Sequence, residues 1–197
     1  MEPILITGCA RSGIATMTGI LQACGMHYGE APGEWIVGKY MRSLGVNPTG
    51  LLPLPKELPP RPWLREDVEV AVRESGWEGA SYGVRDARIA LTWKMWAKAF
   101  PRAKWIITIR DKACIIKSCK AQRMRLKGMG EWNAWFTHYD RTFKSIRKCA
   151  KAVSFVPMMN AVDGDRTNVK NVVESCGLVW NEEEVDKYLD SSLWNYR

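Results

Sequence analysis

Histidine is scarce in this chain: among 197 residues only His27 and His138 carry an imidazole. Cysteine is present but never as C-x-x-C; Cys9, Cys24, Cys114, Cys119, Cys149 and Cys176 are scattered. So thin a supply of clustered ligands argues against a structural zinc site, and no metal is expected. The same spacing offers no disulfide framework. No apolar run reaches the length of a membrane span, so no membrane partner is expected. Internal repeats and low-complexity tracts are missing as well. The first apolar run begins three residues after Met1, so no signal or transit segment is expected. With free thiols, that predicts a reducing, cytoplasmic compartment.

What is abundant is positive charge and tryptophan. The chain carries 29 Lys and Arg against 21 Asp and Glu, a net charge of +8, and ten tryptophans. The balance favours anionic partners: nucleic acid, a membrane surface, or small molecules that bear phosphate or sulfate, and by itself does not choose among them. No recognised nucleic-acid motif accompanies it, so a nucleic-acid partner is not expected. A hydrophobic fraction of 46% over this length predicts one domain spanning residues 1–197. Six of the ten prolines fall between Pro48 and Pro62, and this stretch reads as a flap or inserted loop within that domain.

Pro3-Ile4-Leu5-Ile6-Thr7-Gly8-Cys9-Ala10-Arg11-Ser12-Gly13 organises the rest. Ile4 to Ile6 is short and β-branched, hence a buried strand, and Gly8 and Gly13 bracket a tight loop. From Ile14 to Ala23 apolar residues recur at helical spacing. Strand, glycine loop and helix together aim backbone N–H groups and a helix dipole at one anion. Arg11 and Ser12 add a cationic fork and a hydroxyl. The spacing Gly8…Gly13 matches the nucleotide loop G-x-x-x-x-G-K-[ST], but Ile14 replaces its Lys and Ala15 its metal-binding hydroxyl. A Mg²⁺-dependent nucleotide kinase is therefore the weaker reading, and a nucleotide chemistry without metal the stronger.

Further strands are predicted at 80–84, 103–109 and 153–157. Helices are predicted at 34–44, 67–74, 89–100, from Asp111 to about Lys127, and at 131–149, 167–176 and 181–189. Alternating strands and helices predict an α/β fold, a three-layer α/β/α sandwich with a mainly parallel sheet. Ligands in such sheets sit at the carboxyl ends of strands. Arg110 ends the third strand, and Ser118 lies two turns into the following helix. A guanidinium and a hydroxyl so placed grip a second phosphate. Lys117, Lys120, Arg123 and Lys127 line one face of that helix, either as a solvated surface or as an anion-attracting wall.

Ile-Thr-Gly-Cys-Ala-Arg-Ser-Gly together with Arg110-Asp111-x6-Ser118 resembles the sulfotransferases that use 3′-phosphoadenosine 5′-phosphosulfate (PAPS). Their loop commonly reads P-R-S-G-T-[TS] and their second motif R-D-P-x5-S. Val84-Arg85-Asp86-Ala87-Arg88, Cys176-Gly177-Leu178 and Tyr188-Leu189-Asp190-Ser191-Ser192-Leu193 are similar to later stretches of that family, in the same order. The resemblance implies sulfuryl transfer from PAPS to a hydroxyl or amine of a small-molecule or glycan acceptor. It implies a donor cradle of Gly8, Cys9, Ala10, Arg11, Ser12, Gly13, Ile14, Ala15 and Thr16 around the 5′-phosphate, with Arg110 and Ser118 on the 3′-phosphate. Arg11 would neutralise charge on the transferring group. Glu30, in Tyr28-Gly29-Glu30, matches the place where some members carry an acidic general base; Glu34, Asp86 and His27 are the alternatives. Ile14 and Ala15 stand where the family usually has hydroxyls, which makes a non-catalytic PAPS binder the runner-up. The Pro48–Pro62 loop and the aromatic run Trp132–Tyr139 are expected as acceptor walls, suited to a sugar or a small aromatic alcohol.

Overall fold

Side chains alternate across a strand with a period of two, and the first strand shows what that does here. Ile4 and Ile6 enter one core, and Leu5 between them enters another. A computed structural model describes residues 2–29, 32–43, 45, 62–79, 81–124, 126, 128–191 and 194. Glu30, Lys127, Ser192, Leu193 and nearly all of the Pro48–Pro62 stretch lie outside the described residues.

Strands β1 (Ile4–Gly8), β2 (Gly83–Arg85), β3 (Lys104–Ile109) and β4 (Ala152–Pro157) pair in parallel in the order β2-β1-β3-β4. Because β1 is buried along its whole length, it can sit only in the middle of the sheet, covered on both faces. On one face lie α1 (Ile14–Ala23), α8 (Met158–Val162), α9 (Thr167–Ser175) and α10 (Glu182–Leu189), which bury Met17, Ile20, Met158, Val173 and Val185. On the other lie α2 (Pro32–Ser43), α3 (Leu64–Glu74) and α5 (Trp93–Ala99), around Val37, Val68, Trp96 and Trp105. A third cluster sits beside the first loop, where α4 (Ala87–Leu91), α6 (Lys112–Ala121) and α7 (Gly128–Cys149) enclose Cys9. The result is the three-layer sandwich expected.

The chain steps from β1 outward to β2, then crosses back to place β3 on the other side of β1. That reversal opens a crevice between the carboxyl ends of β1 and β3, where doubly wound sheets take their ligands. Gly8 pairs with Thr108 across it, so the glycine loop and Arg110 leave the sheet side by side.

Two helices depart most from the expected bounds. The stretch 89–100 is two helices, because Thr92 breaks the run with φ −107° and ψ 19°. Its hydroxyl donates to the Arg88 carbonyl at 2.9 Å and accepts from the Trp96 indole at 3.1 Å, which ties the two helices together at the break. The helix after Asp111 ends at Ala121 instead of running to Lys127. Arg123 adopts the left-handed conformation at φ 57°, Arg123 N–H donates to Lys120 and Met124 N–H to Cys119. That is a Schellman cap built on a non-glycine residue, with Met124 packed in the Cys119 cluster. The caps at Gly25 and Gly177 follow the same pattern with glycine, as their sequence suggests. Among the described residues no helix is long and apolar enough to cross a membrane.

Candidate functional site

The loop is built on buried hydroxyls. Thr7 and Thr108, polar residues at the ends of apolar strands, are both inaccessible. Thr7 Oγ1 donates to the Asp86 carbonyl at 2.9 Å and accepts from Ala90 N–H at 3.1 Å, tying β1 to α4. Ser12 is buried too: its hydroxyl pairs with Thr108 Oγ1 at 2.7 Å, and its N–H donates to the Cys9 carbonyl at 3.1 Å. Ser12, expected to offer its hydroxyl to phosphate, thus turns inward and braces the loop. Gly8 has to be glycine on steric grounds. A Cβ there would lie 2.5 Å from Ser12 Oγ and 2.7 Å from the Thr108 carbonyl.

Gly13 closes the loop in the left-handed region, at φ 104°, and is the N-cap of α1 without a side-chain cap. Asp86, Asp111 and Asn181 cap α4, α6 and α10 through their side chains. At α1 the first-turn N–H groups are left for something outside the helix. Their neighbours Ile14 and Ala15 carry no polar atom, and Thr16 brings the nearest hydroxyl. Cys9 lines the inner side of the loop, and burial pushes its thiol well up from 9.0.

Arg11 is the exposed tip of this loop and also adopts the left-handed conformation, at φ 68°. An L-residue held there costs about 1–2 kcal/mol, so its partners have to keep it in place. Arg110 Nη1 donates to the Arg11 carbonyl at 3.2 Å, and Arg11 Nε donates to Ser118 Oγ at 2.9 Å. Ser118 is buried on α6, one helical face away from the exposed Lys117, Lys120 and Arg123. The stretches Gly8–Thr16 and Arg110 with Ser118, each expected from sequence to grip a phosphate, therefore lie side by side, joined through Arg11. Arg11 makes no ion pair among the described residues. Burial, with Arg11 adding to it, pulls the Arg110 guanidinium below its ordinary value. Trp194, beyond α10, covers Arg110: the guanidinium carbon lies 5.0 Å from the ring centroid.

The alternative bases are placed elsewhere. Asp86 is buried, caps α4, and holds the Arg88 guanidinium at 2.6 Å and 2.9 Å. His27 bridges Tyr82 at the amino end of β2, and its Nε2 lies 2.9 Å from Ser75 Oγ, so it faces away from the crevice. Glu34 lies on α2, its side chain outside the description. Trp132 and Trp135 correct the expectation of an acceptor wall. Each is 1% exposed; Trp132 packs its ring on Trp135 and Phe136, and Trp135 packs also on Phe136 and Tyr139, so they are core. Three residues of the site escaped sequence reading. Thr7 and Thr108 had a signal, a hydroxyl inside an apolar strand; Trp194 had none. Among the described residues no cluster of His, Cys, Asp or Glu could hold a metal ion.

No protein-family model matches this chain, and no curated protein does. Solved structures do. The sulfotransferase domain of the olefin synthase from Synechococcus is similar with a TM-score of 0.61 at 15% identity, over 93% of this chain and 76% of that one. A sulfotransferase from Alicyclobacillus acidocaldarius gives 0.60 at 12% identity, over 96% and 90%. A sulfotransferase from Mycobacterium tuberculosis gives 0.58 at 13% identity, over 100% and 72%. With its glycine loop and Arg110 flanking the crevice between β1 and β3, this chain has the fold of the sulfotransferases.

Proposed function

We propose that this protein is a sulfotransferase that moves a sulfuryl group from PAPS to a hydroxyl or amine of a small-molecule or glycan acceptor. The observation that carries the reading is the convergence of Arg11, Arg110 and Ser118 on the open N-terminus of α1. A nucleotide with phosphates at both its 5′ and 3′ positions is the ligand that such a paired cationic site suits. The fit is supported by the two guanidiniums, by the uncapped N–H groups, and by a loop so closely packed that Gly8 has no space for a Cβ.

Bound there, the nucleotide supplies an activated sulfuryl group. The loop amides from Gly13 to Thr16 hold the 5′-phosphate, and Arg110 and Ser118 the 3′-phosphate. Arg11 places positive charge beside the oxygen that gains charge as its bond to sulfur breaks. The acceptor loses a proton as its oxygen or nitrogen bonds to sulfur, and Glu30 is the residue proposed to take it.

Calorimetric titration with adenosine 3′,5′-bisphosphate in the absence of Mg²⁺ tests the donor site. Micromolar binding by the wild type, weakened at least about thirtyfold in Arg110→Ala, is expected from losing a charge-assisted contact. No binding by the wild type would sink the reading. Transfer of labelled sulfate from PAPS to a panel of acceptors then tests catalysis, with Glu30→Gln expected to bind the nucleotide normally and turn over about a hundredfold slower. Ile14 and Ala15 favour one other reading, a binder without turnover. Tight nucleotide binding with no transfer to any acceptor would support that one.

A further inference from the structure

We infer that Trp194 is a positioning residue for the 3′-phosphate, acting through Arg110, and this rests on the donor-site reading above. Trp194 is 7% exposed, and its amide donates to the Ser191 carbonyl at 3.2 Å. The indole makes two contacts there. One edge packs on the α-carbon of Gly13, where a Cβ would come within 2.9 Å of the ring. The face lies against the Arg110 guanidinium, with Cζ 5.0 Å from the centroid. A single side chain therefore touches the N-cap of α1 and the cation at the end of β3, the two halves of the site.

An indole face orients a guanidinium through the ring quadrupole. Burial and the neighbouring Arg11 draw the Arg110 guanidinium below its ordinary value. Arg110 in turn donates to the carbonyl of Arg11, a left-handed residue that needs support. Displacing Trp194 thus removes a restraint on Arg110, and a less restrained Arg110 loosens the loop tip. The sequence stretch around Trp194 contains no phosphate-binding motif, so only its place over Arg110 assigns it this role.

The test compares adenosine 3′,5′-bisphosphate with adenosine 5′-phosphate, which lacks the group Arg110 holds. Titrations use the full chain, as wild type, Trp194→Phe and Trp194→Leu. Leu keeps apolar bulk in the cluster with Met158 and has no ring face, and Phe keeps both. The wild type is expected to prefer the bisphosphate strongly. Trp194→Leu should cut that preference about three- to thirtyfold, the range of a lost cation–π contact, and Trp194→Phe should restore most of it. In an Arg110→Ala background Trp194→Leu should change the preference by less than about twofold, because the residue through which it acts is gone. Equal weakening of both nucleotides in Trp194→Leu would mark a packing role only and overturn the inference. So would an unchanged preference. A wild type that binds the two nucleotides equally would overturn the donor-site reading itself, and that outcome is seen before any Trp194 variant is made.

Discussion

Replacing Gly8 and Ser12 separately distinguishes a strut from a ligand at the loop. In Gly8→Ala the new methyl would stand 2.5 Å from Ser12 Oγ and Thr108 Oγ1, and 2.7 Å from the Thr108 carbonyl. The hydroxyls can rotate, but the carbonyl belongs to the central strand β3. To reach ordinary contact near 3.4 Å the loop has to retreat by about 0.7 Å. The Ser12–Thr108 bond is lost on the way. Overpacking and that bond together cost about 2–3 kcal/mol, which lowers Tm by about 5–10 °C. The amides above the loop move with it, so affinity for adenosine 3′,5′-bisphosphate should fall at least about tenfold. Ser12→Ala loses the same 2.7 Å bond without moving the backbone, and Thr108 keeps its 3.3 Å bond to the Thr7 carbonyl. Its cost is about 1 kcal/mol, or about 2–4 °C, with affinity changed less than about threefold. Thermal unfolding and calorimetry on the two variants read both quantities. If Ser12→Ala kept its Tm and lost binding tenfold, the hydroxyl would be a phosphate ligand and the strut argument wrong. A Gly8→Ala protein indistinguishable from wild type would refute the packing argument.

Trp135→Ala should cost about 3–5 kcal/mol in urea unfolding, because Trp135 is 1% exposed and edge-packed on Trp132 and Tyr139; a small change with weakened acceptor binding would return it to the acceptor wall. Arg123→Gly should raise Tm by about 2–4 °C, since glycine holds φ 57° at the end of α6 without a Cβ penalty; a lower Tm would count against the Schellman cap. Burial pushes the Cys119 thiol from 9.0 up to about 11. The unfolded chain therefore ionises first: the contribution is complete below pH 9 and is lost as pH rises toward 11. Tm should fall over that interval, less steeply in Cys119→Ala, and parallel slopes would place the titration elsewhere.

Local signals carried most of this fold. Ile4 to Ile6 and Trp105 to Ile107 are too short and too β-branched for helices, and they are the buried strands. Gly25 and Gly177 marked helix ends because left-handed backbone favours a residue without Cβ. The end of α6 was not legible, because an arginine took the position that glycine usually fills. Nor was the break at Thr92, which depends on a hydrogen bond from an indole one turn away.

For the site, sequence by itself determined the residue types that can hold an anion: Gly8 and Gly13 around a loop, Arg11 at its tip, Arg110 after a strand, Ser118 on a helix. Those are properties of short stretches, set by backbone conformation and side-chain chemistry. Only the tertiary structure decided that they meet. Strand order places β3 against β1, and so brings Ser118 to Arg11 across 107 residues of chain. It turned the Ser12 hydroxyl inward to Thr108 and withdrew Trp132 and Trp135 into the core. It also set Trp194 on Arg110 from the far end of the sequence. Such contacts arise from the packing of whole elements, and no spacing within one stretch encodes them.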